Sequence, residues 1–538
     1  MAQGENRPAI GMRVLLIASA VVFLGFRLAW GIGREDVEPY ESPLMMSVAR
    51  QLVAGPGELY GPYGRTNPLV LIHAPLYYRV AGLLAWPIWK AGLHPVEAAR
   101  LAGRLVSAAG LLATLAAAYR LGRIGGRSHD TGLWAALLVA SCPALDAYPF
   151  AVRPDLLGVA FQTWGVALTL ESMGEDRRRL VAASIFFGLA ACVKQHLVVT
   201  WGVMIAIATL RRQPRPPSIA RLMGPGVVTV GLVHAVESII TGGRLWDSAL
   251  VVASGVGRVH PGDGLHVATV LAAVAGKAAG LSAVAVAAST LGRAGAGLVG
   301  ALAAFSIAQV FWPGPWITTI LPALSMAGLV IGLVGCARAG WVEGMLGACL
   351  VAELVVVIVL SWSSSGAWIN YAIPMIPLVS AMIARPMMAA AEGAGWPGRT
   401  IVATAVVAVL ASAWMDAKVE ATRRSAEHRD LARVLETAGV PSSAIIFGDR
   451  PSRNRMTGRL DLVFDDWLYP VFESRKLAEP RSRWLGPRIR PEAGVRAIIL
   501  ESEGDRIEGL PGSLLERGYR RAGRAGRFWV WVGFPGMP

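Results

Sequence analysis

Long apolar runs constrain this chain before any motif does. A run of roughly 20 apolar residues crosses a bilayer as a helix, because a helix satisfies its own backbone polar groups in hydrocarbon. Such runs recur at about 12–32, 95–122, 131–150, 156–173, 180–193, 197–211, 222–241, 267–291, 295–312, 316–336, 341–361, 369–385 and 400–415. The expectation is an all-α polytopic membrane protein with about thirteen transmembrane helices. The bulk figures agree. Of 538 residues, 54% are hydrophobic and 16% charged, and the mean hydropathy is +0.50. These values exclude a water-soluble enzyme of this length.

Basic residues fix the sides. Arg120/Arg123/Arg127, Arg177-Arg178-Arg179, Arg211-Arg212, Arg293, Arg338 and Arg385 to Arg399 fall in connections, and the positive-inside rule makes these cytoplasmic. They alternate correctly with the N-terminus inside and residues 33–94 as an outer loop. Within that loop, His73 to Leu93 carries Pro75 and Pro87 and is read as an interfacial or re-entrant helix. No A-x-A cleavage pattern follows the first run, so it is read as a retained helix rather than a signal peptide. The net charge of +15 belongs to loops and headgroups, so nucleic acid is not an expected partner. Cys142, Cys192, Cys336 and Cys349 lie in apolar segments without metal-ligand spacing and read as buried thiols.

From about Met415 the pattern changes. "DLARVLETAGV" reads as a helix, "SSAIIFGD" and "VRAIILESE" as strands, and "YRRAGRAGRFWVWVG" as a closing hairpin. The chain divides into a membrane domain over 1–415 and a small extracytoplasmic α/β domain over 416–538.

Four features converge on the outer side. Glu35, Asp36, Glu38 and Glu41 stand together after the first run. Ser42-Pro43 then starts an amphipathic helix, ended by Gly55, that is expected to lie on the outer leaflet. Asp155, beside Arg153, opens a span. Lys194-Gln195-His196 interrupts an apolar stretch, and a charge at membrane depth is a functional hypothesis by default. Asn370 and Tyr371 open another span. For each there is a plainer role: solvated acids at a helix start, a cap, or a snorkelling lysine. Together they place acids and cations at the outer ends of several helices, which suits a lipid substrate with a phosphate head.

The order of these segments carries a resemblance. An acidic first loop is followed by "YESPLMMSVARQLVAGPGELYGPYGRTNPLVLIHAPLYYRVAGLLAWP", then "AARLAGRLVSAAGLLATLAAAYRLGRIGG", then a stretch ending in Arg153-Pro154-Asp155, and a lone intramembrane lysine. Over about residues 12–210 it resembles the GT-C fold glycosyltransferases, in the family 39-like branch that contains lipid A aminoarabinose transferases and protein O-mannosyltransferases. Asn370-Tyr371 is a fainter echo.

The resemblance implies an inverting glycosyltransferase that takes a sugar from a polyprenyl-phosphate donor. The acceptor is a hydroxyl on a lipid, glycan or protein, and the reaction runs on the outer face of the bacterial cytoplasmic membrane. It implies a first-loop carboxylate as general base, with Asp36 first choice, Glu38 second and Glu41 third. Asp155 would orient acceptor or sugar. Arg153, Lys194, His73, Tyr77, Tyr78, Asn370 and Tyr371 would hold substrate. His73, in "IHAPLYY", takes the place of a lysine before "PPLYYW" in aminoarabinose transferases. No metal and no cofactor are implied. A transporter of lipid-linked sugars would need the same groove, but usually shows two comparable halves, and no such duplication is visible. A structural membrane protein whose outer domain binds an envelope partner is a third reading.

Overall fold

The structure is a computed structural model. It describes chiefly residues 41–60, 71–172, 176–210, 217–248, 261–274, 341–364, 369–393, 429–448, 495–500 and 512–533, with short interruptions, and scattered positions in 21–32. The expected spans 295–312, 316–336 and 400–415, most of 12–32, the rest of 267–291, and Cys336 lie outside the described residues.

The helices follow in chain order: α1 (Ser42–Ala54), α2 (Leu76–Lys90), α3 (Pro95–Gly126), α4 (His129–Ala140), α5 (Asp155–Glu171), α6 (Arg177–Val193), α7 (Val198–Leu210), α8 (Pro217–Thr241), α9 (Gly264–Val274), α10 (Trp341–Ser363) and α11 (Met375–Gly393). Among the described residues, three helices are long and apolar enough to cross a membrane: Pro95–Gly126, Ile219–Thr241 and Gly344–Ser363.

Helix α3 is the organising element. It packs against α1, α2, α4, α5 and α11. Its 32 residues extend about 48 Å at 1.5 Å each, longer than a bilayer core. The His94 ring caps its start by accepting the Val96 N–H at 3.4 Å. Gly110 lets the start of α5 come against it, since a Cβ there would meet Leu157 N at 2.7 Å. At Gly103 a Cβ would meet Val152 Cγ1 at 2.5 Å. Both glycines therefore seat the 152–157 segment, which carries Arg153 and Asp155.

Three segments differ from expectation. Helix α1 was expected on the leaflet surface, yet Met45, Met46, Val48 and Ala49 are fully buried. They join Tyr77, Tyr78 and Ala102 in one apolar core, because α2 and α3 cover two sides of α1 rather than one. The run 131–150 is not one helix. Helix α4 ends at Ala140, and a 3-10 turn, Tyr148–Phe150, precedes Pro154. Pro143 and Pro149 lack the N–H that a continuing helix needs. The run 369–385 opens with a 3-10 turn, Ile369–Ala372, and the helix begins only at Met375, after Pro374. The segment expected as interfacial or re-entrant forms α2, with Pro87 inside it. Arg79 on α2 holds Glu237 on α8 with two bonds, Nε to Oε1 at 2.6 Å and Nη2 to Oε2 at 2.7 Å.

Strands β1 (Ile445–Gly448), β2 (Val495–Leu500), β3 (Tyr519–Ala525) and β4 (Phe528–Gly533) form in the four segments read as strands from sequence. They make one sheet in the order β1-β2-β4-β3. β1 and β2 are parallel, and β3 and β4 are the expected antiparallel hairpin. Leu431 and Leu435 of the preceding helical residues pack on Ala497, Ile499, Phe528, Val530 and Val532. Cys142, Cys192 and Cys349 are buried, as expected.

Candidate active site

The polar groups gather where α5 begins and α6 ends. Pro154 is the N-cap of α5, so Asp155 is its first residue rather than its cap. Lys194 ends α6 in an extended conformation, φ −145° and ψ 123°, and a 3-10 turn, Gln195–Leu197, follows. This break turns the lysine inward. Its Nζ donates to Asp155 Oδ1 at 2.7 Å, and both side chains are nearly fully buried. The lysine does not snorkel. Arg153 Nε donates to the other oxygen, Oδ2, at 3.2 Å.

Aromatic rings surround the pair. Lys194 Nζ lies 4.9 Å from the centre of the Tyr371 ring, and the Arg153 guanidinium 4.7 Å from that of Tyr148. The His196 ring packs on Tyr371 with centroids 4.8 Å apart. Tyr371 and Asn370 sit together in the 3-10 turn before α11. Helix α2 closes another side. Tyr77 Oη donates to Gly103 O at 2.8 Å and meets Ser107 Oγ at 3.0 Å. Ser107 in turn donates to Ala151 O at 2.7 Å, pinning the loop that carries Arg153. His73 is anchored through its carbonyl, which accepts from Tyr60 Oη at 2.7 Å. Burial, with Lys194 and Arg153 nearby, holds the His73 imidazole well below its ordinary range, at about 3, although Asp155 pulls the other way. His73 is therefore neutral at physiological pH.

Among the described residues, two of the buried polar atoms without a hydrogen-bond partner belong to this site: Tyr78 Oη and His196 Nε2. Both lie within the electrostatic reach of Asp155, Tyr78 also of Arg153, and His196 of Lys194 and His73. A buried polar atom left unpaired costs about 1–3 kcal/mol. Two of them stand beside the buried ion pair, with hydrogen-bonding capacity that no described side chain uses.

The structure thus brings Arg153, Asp155, Lys194, His73, Tyr77, Tyr78 and Tyr371 together, with Asn370 next to Tyr371. Asp36 and Glu38 lie outside the described residues. Glu41 is engaged elsewhere. At the N-cap of α1 its side chain makes no capping bond. It turns to Arg104 instead, Oε1 at 2.9 Å and Oε2 at 3.2 Å, and Oε1 also accepts the Val152 N–H at 2.9 Å. Glu41 and Arg104 are fully withdrawn from solvent. This pair ties α1 to α3 and holds the loop just before Arg153.

Sequence reasoning missed Arg104, Ser107 and Tyr148, and named His196 only as part of the Lys194-Gln195-His196 break. Arg104 had a signal, since it is a cation well inside the apolar run 95–122, one turn beyond Arg100. At the opposite end of α5, Glu171 is shared by Arg120 and Arg179. Sixteen rises separate it from Asp155, roughly 24 Å, so the Arg cluster and the site lie at opposite ends of that helix.

The described helices, with the polar cluster at one end of α5, share the GT-C fold of solved structures. The chain superposes on ArnT, the lipid A aminoarabinose transferase, from Cupriavidus metallidurans bound to undecaprenyl phosphate. The TM-score is 0.63 at 14% identity, covering 98% of this chain and 100% of that one. The apo state of the same protein gives 0.60 at 14% identity, covering 98% of both chains. The oligosaccharyltransferase AglB from Archaeoglobus fulgidus, in complex with an inhibitory peptide and a dolichol-phosphate, gives 0.47 at 11% identity, over 99% of this chain and 75% of its own. No protein-family model matches the chain, and no curated sequence does. The likeness to ArnT is one of fold.

Proposed function

We propose that this chain is a membrane glycosyltransferase that moves a sugar from a polyprenyl-phosphate donor to a hydroxyl acceptor, with inversion. In this reading it sits in the bacterial cytoplasmic membrane with about thirteen spans, its N-terminus cytoplasmic, its C-terminal domain and site outside. The observation that carries it is the pair of unpartnered buried atoms, Tyr78 Oη and His196 Nε2, beside the Arg153–Asp155–Lys194 cluster. Phosphate oxygens can accept from phenol, imidazole, guanidinium and ammonium groups, and charge-assisted bonds of this kind are the strong ones. A fold shared with a protein crystallised with undecaprenyl phosphate supports the same ligand class.

The chemistry then needs a base. A first-loop carboxylate takes the proton of the acceptor hydroxyl as its oxygen attacks the anomeric carbon. The bond from that carbon to the phosphate oxygen breaks, and the polyprenyl phosphate leaves with the electron pair. Arg153 and Lys194 stabilise the charge that grows on it. Asp155 holds both cations in place. Asp36 is the first choice for the base and Glu38 the second. Glu41 is better assigned to the Arg104 pair, since both its oxygens are engaged there. His73, being neutral, contributes a hydrogen bond rather than a charge.

The test is binding of undecaprenyl phosphate to the full chain in detergent. Saturable binding, weakened at least tenfold, about 1.4 kcal/mol, by Arg153→Ala, is expected. Absence of saturable binding would remove the proposal's ligand.

A further inference from the structure

A second buried polar cluster lies one layer deeper along the same helices. Glu353, in the membrane-spanning part of α10, is fully buried. Its Oε1 accepts from Gln162 Nε2 on α5 at 2.5 Å and from Thr200 Oγ1 on α7. Gln162 and Thr200 are buried as well. Gln162 follows Asp155 by seven residues on α5, so the two share a helix face about 10 Å apart. Thr200 opens α7 six residues after Lys194. One carboxyl group therefore grips α5, which carries Asp155, and α7, which follows Lys194 after one 3-10 turn.

We infer that Glu353 is a positioning residue that fixes the separation of α5 and α7 and so sets the Asp155–Lys194 contact. A carboxyl group inside a span is expensive, and an apolar residue would fill the same volume. What Glu353 supplies is a single acceptor shared by two helices. Helix α7 packs on α6 and α10, and the 3-10 turn between Lys194 and Val198 is closed by backbone bonds from Leu197 N to Lys194 O at 3.1 Å and from Val198 N to Gln195 O. Thr200 is the first anchored side chain after that turn. Losing its bond frees the segment in which Lys194 sits. Both partners of Oε1 are neutral donors, so a carboxamide can replace the carboxyl group. Glutamine at 353 would also exchange the unpartnered Oε2 for a donor.

The inference rests on the functional reading only for its lipid arm. In the full chain in detergent, hydrogen exchange is followed over residues 190–200, beside undecaprenyl phosphate affinity. Glu353→Leu should speed exchange there and weaken the lipid, each by roughly tenfold, while exchange at 495–500 stays unchanged. Glu353→Gln should restore both to within about twofold. In a Lys194→Ala background, Glu353→Leu should weaken the lipid no further, because the two changes act through one contact. Unchanged exchange in Glu353→Leu, or a lipid loss fully additive with Lys194→Ala, overturns the role. Should Glu353→Leu fail to fold, Thr200→Val removes one of the two bonds and must still speed exchange over 190–200, or the inference fails. If the unaltered chain takes no undecaprenyl phosphate, the functional reading falls, and the exchange result still decides the positioning role.

Discussion

Lys194 donates to Asp155 across 2.7 Å, from the end of one helix to the start of another, with both side chains nearly fully buried. A buried pair of this kind makes each partner depend on the other. Lys194→Ala leaves Asp155 with Arg153 alone. Breaking a buried pair costs about 3–5 kcal/mol, and the remaining guanidinium places this case at the low end. Thermal unfolding in detergent should show the loss, and Asp155→Asn added to Lys194→Ala should recover part of it. Lys194→Ala with unchanged stability would mean the pair contributes nothing to the fold.

Glu41 and Arg104 provide a second test of the same rule. If Glu41 serves the fold, Glu41→Gln lowers the unfolding temperature, while its folded fraction keeps turnover within about threefold. A catalytic base lost in that way would instead cost roughly 10²–10⁴ in turnover with stability intact. Joint replacement by Glu41→Leu and Arg104→Met should be less destabilising than either single change, since neither leaves a charge behind.

Much of the described helical frame is legible in the sequence, and so are most of the side chains that gather at the candidate site. Apolar runs located α3, α5, α6 and α8 because bilayer burial demands length and hydrophobicity, and both can be read residue by residue. Lys194 stands out because a charge at membrane depth is expensive, and Asp155 and Tyr371 because they open apolar runs from the outer side. What could not be read was pairing. Nothing in the spacing of Glu41 and Arg104, 63 residues apart, says that they meet. The same holds for Gln162 and Glu353, 191 apart. The burial of α1 was also hidden, since an amphipathic pattern fits a leaflet and a cradle between two helices equally well. The break after Ala140 was written in Pro143 and Pro149, whose effect the run of apolar residues masked.

His73 gives the account a pH signature. The folded imidazole titrates near 3, and an unfolded one near 6.5. Between those values the unfolded chain binds the extra proton, so acidification favours unfolding. The stabilising contribution is full above about pH 6.5 and is lost as pH falls toward 3, by at most about 1.4 kcal/mol per pH unit. Unfolding temperatures at pH 7.5 and pH 5 should therefore diverge more in the unaltered chain than in His73→Gln. Equal divergence would mean that His73 titrates normally in the folded state.

Topology follows from the Arg cluster that shares Glu171, at the far end of α5 from Asp155. A reporter fused after Pro538 should register as periplasmic, and one placed within Arg177 to Arg179 as cytoplasmic. The reverse at either place would put Asp155 on the opposite side from the first loop.

The most direct measurement is release of sugar from labelled polyprenyl-phosphate donors by the purified chain, compared with Asp36→Asn. The account predicts release by the unaltered chain with at least one donor, and a loss of roughly 10²–10⁴ in Asp36→Asn while undecaprenyl phosphate still binds. If Glu38→Gln shows that loss instead, the base moves along the loop. Binding of the lipid without release of sugar from any donor would contradict the transferase and favour a carrier of lipid-linked sugars.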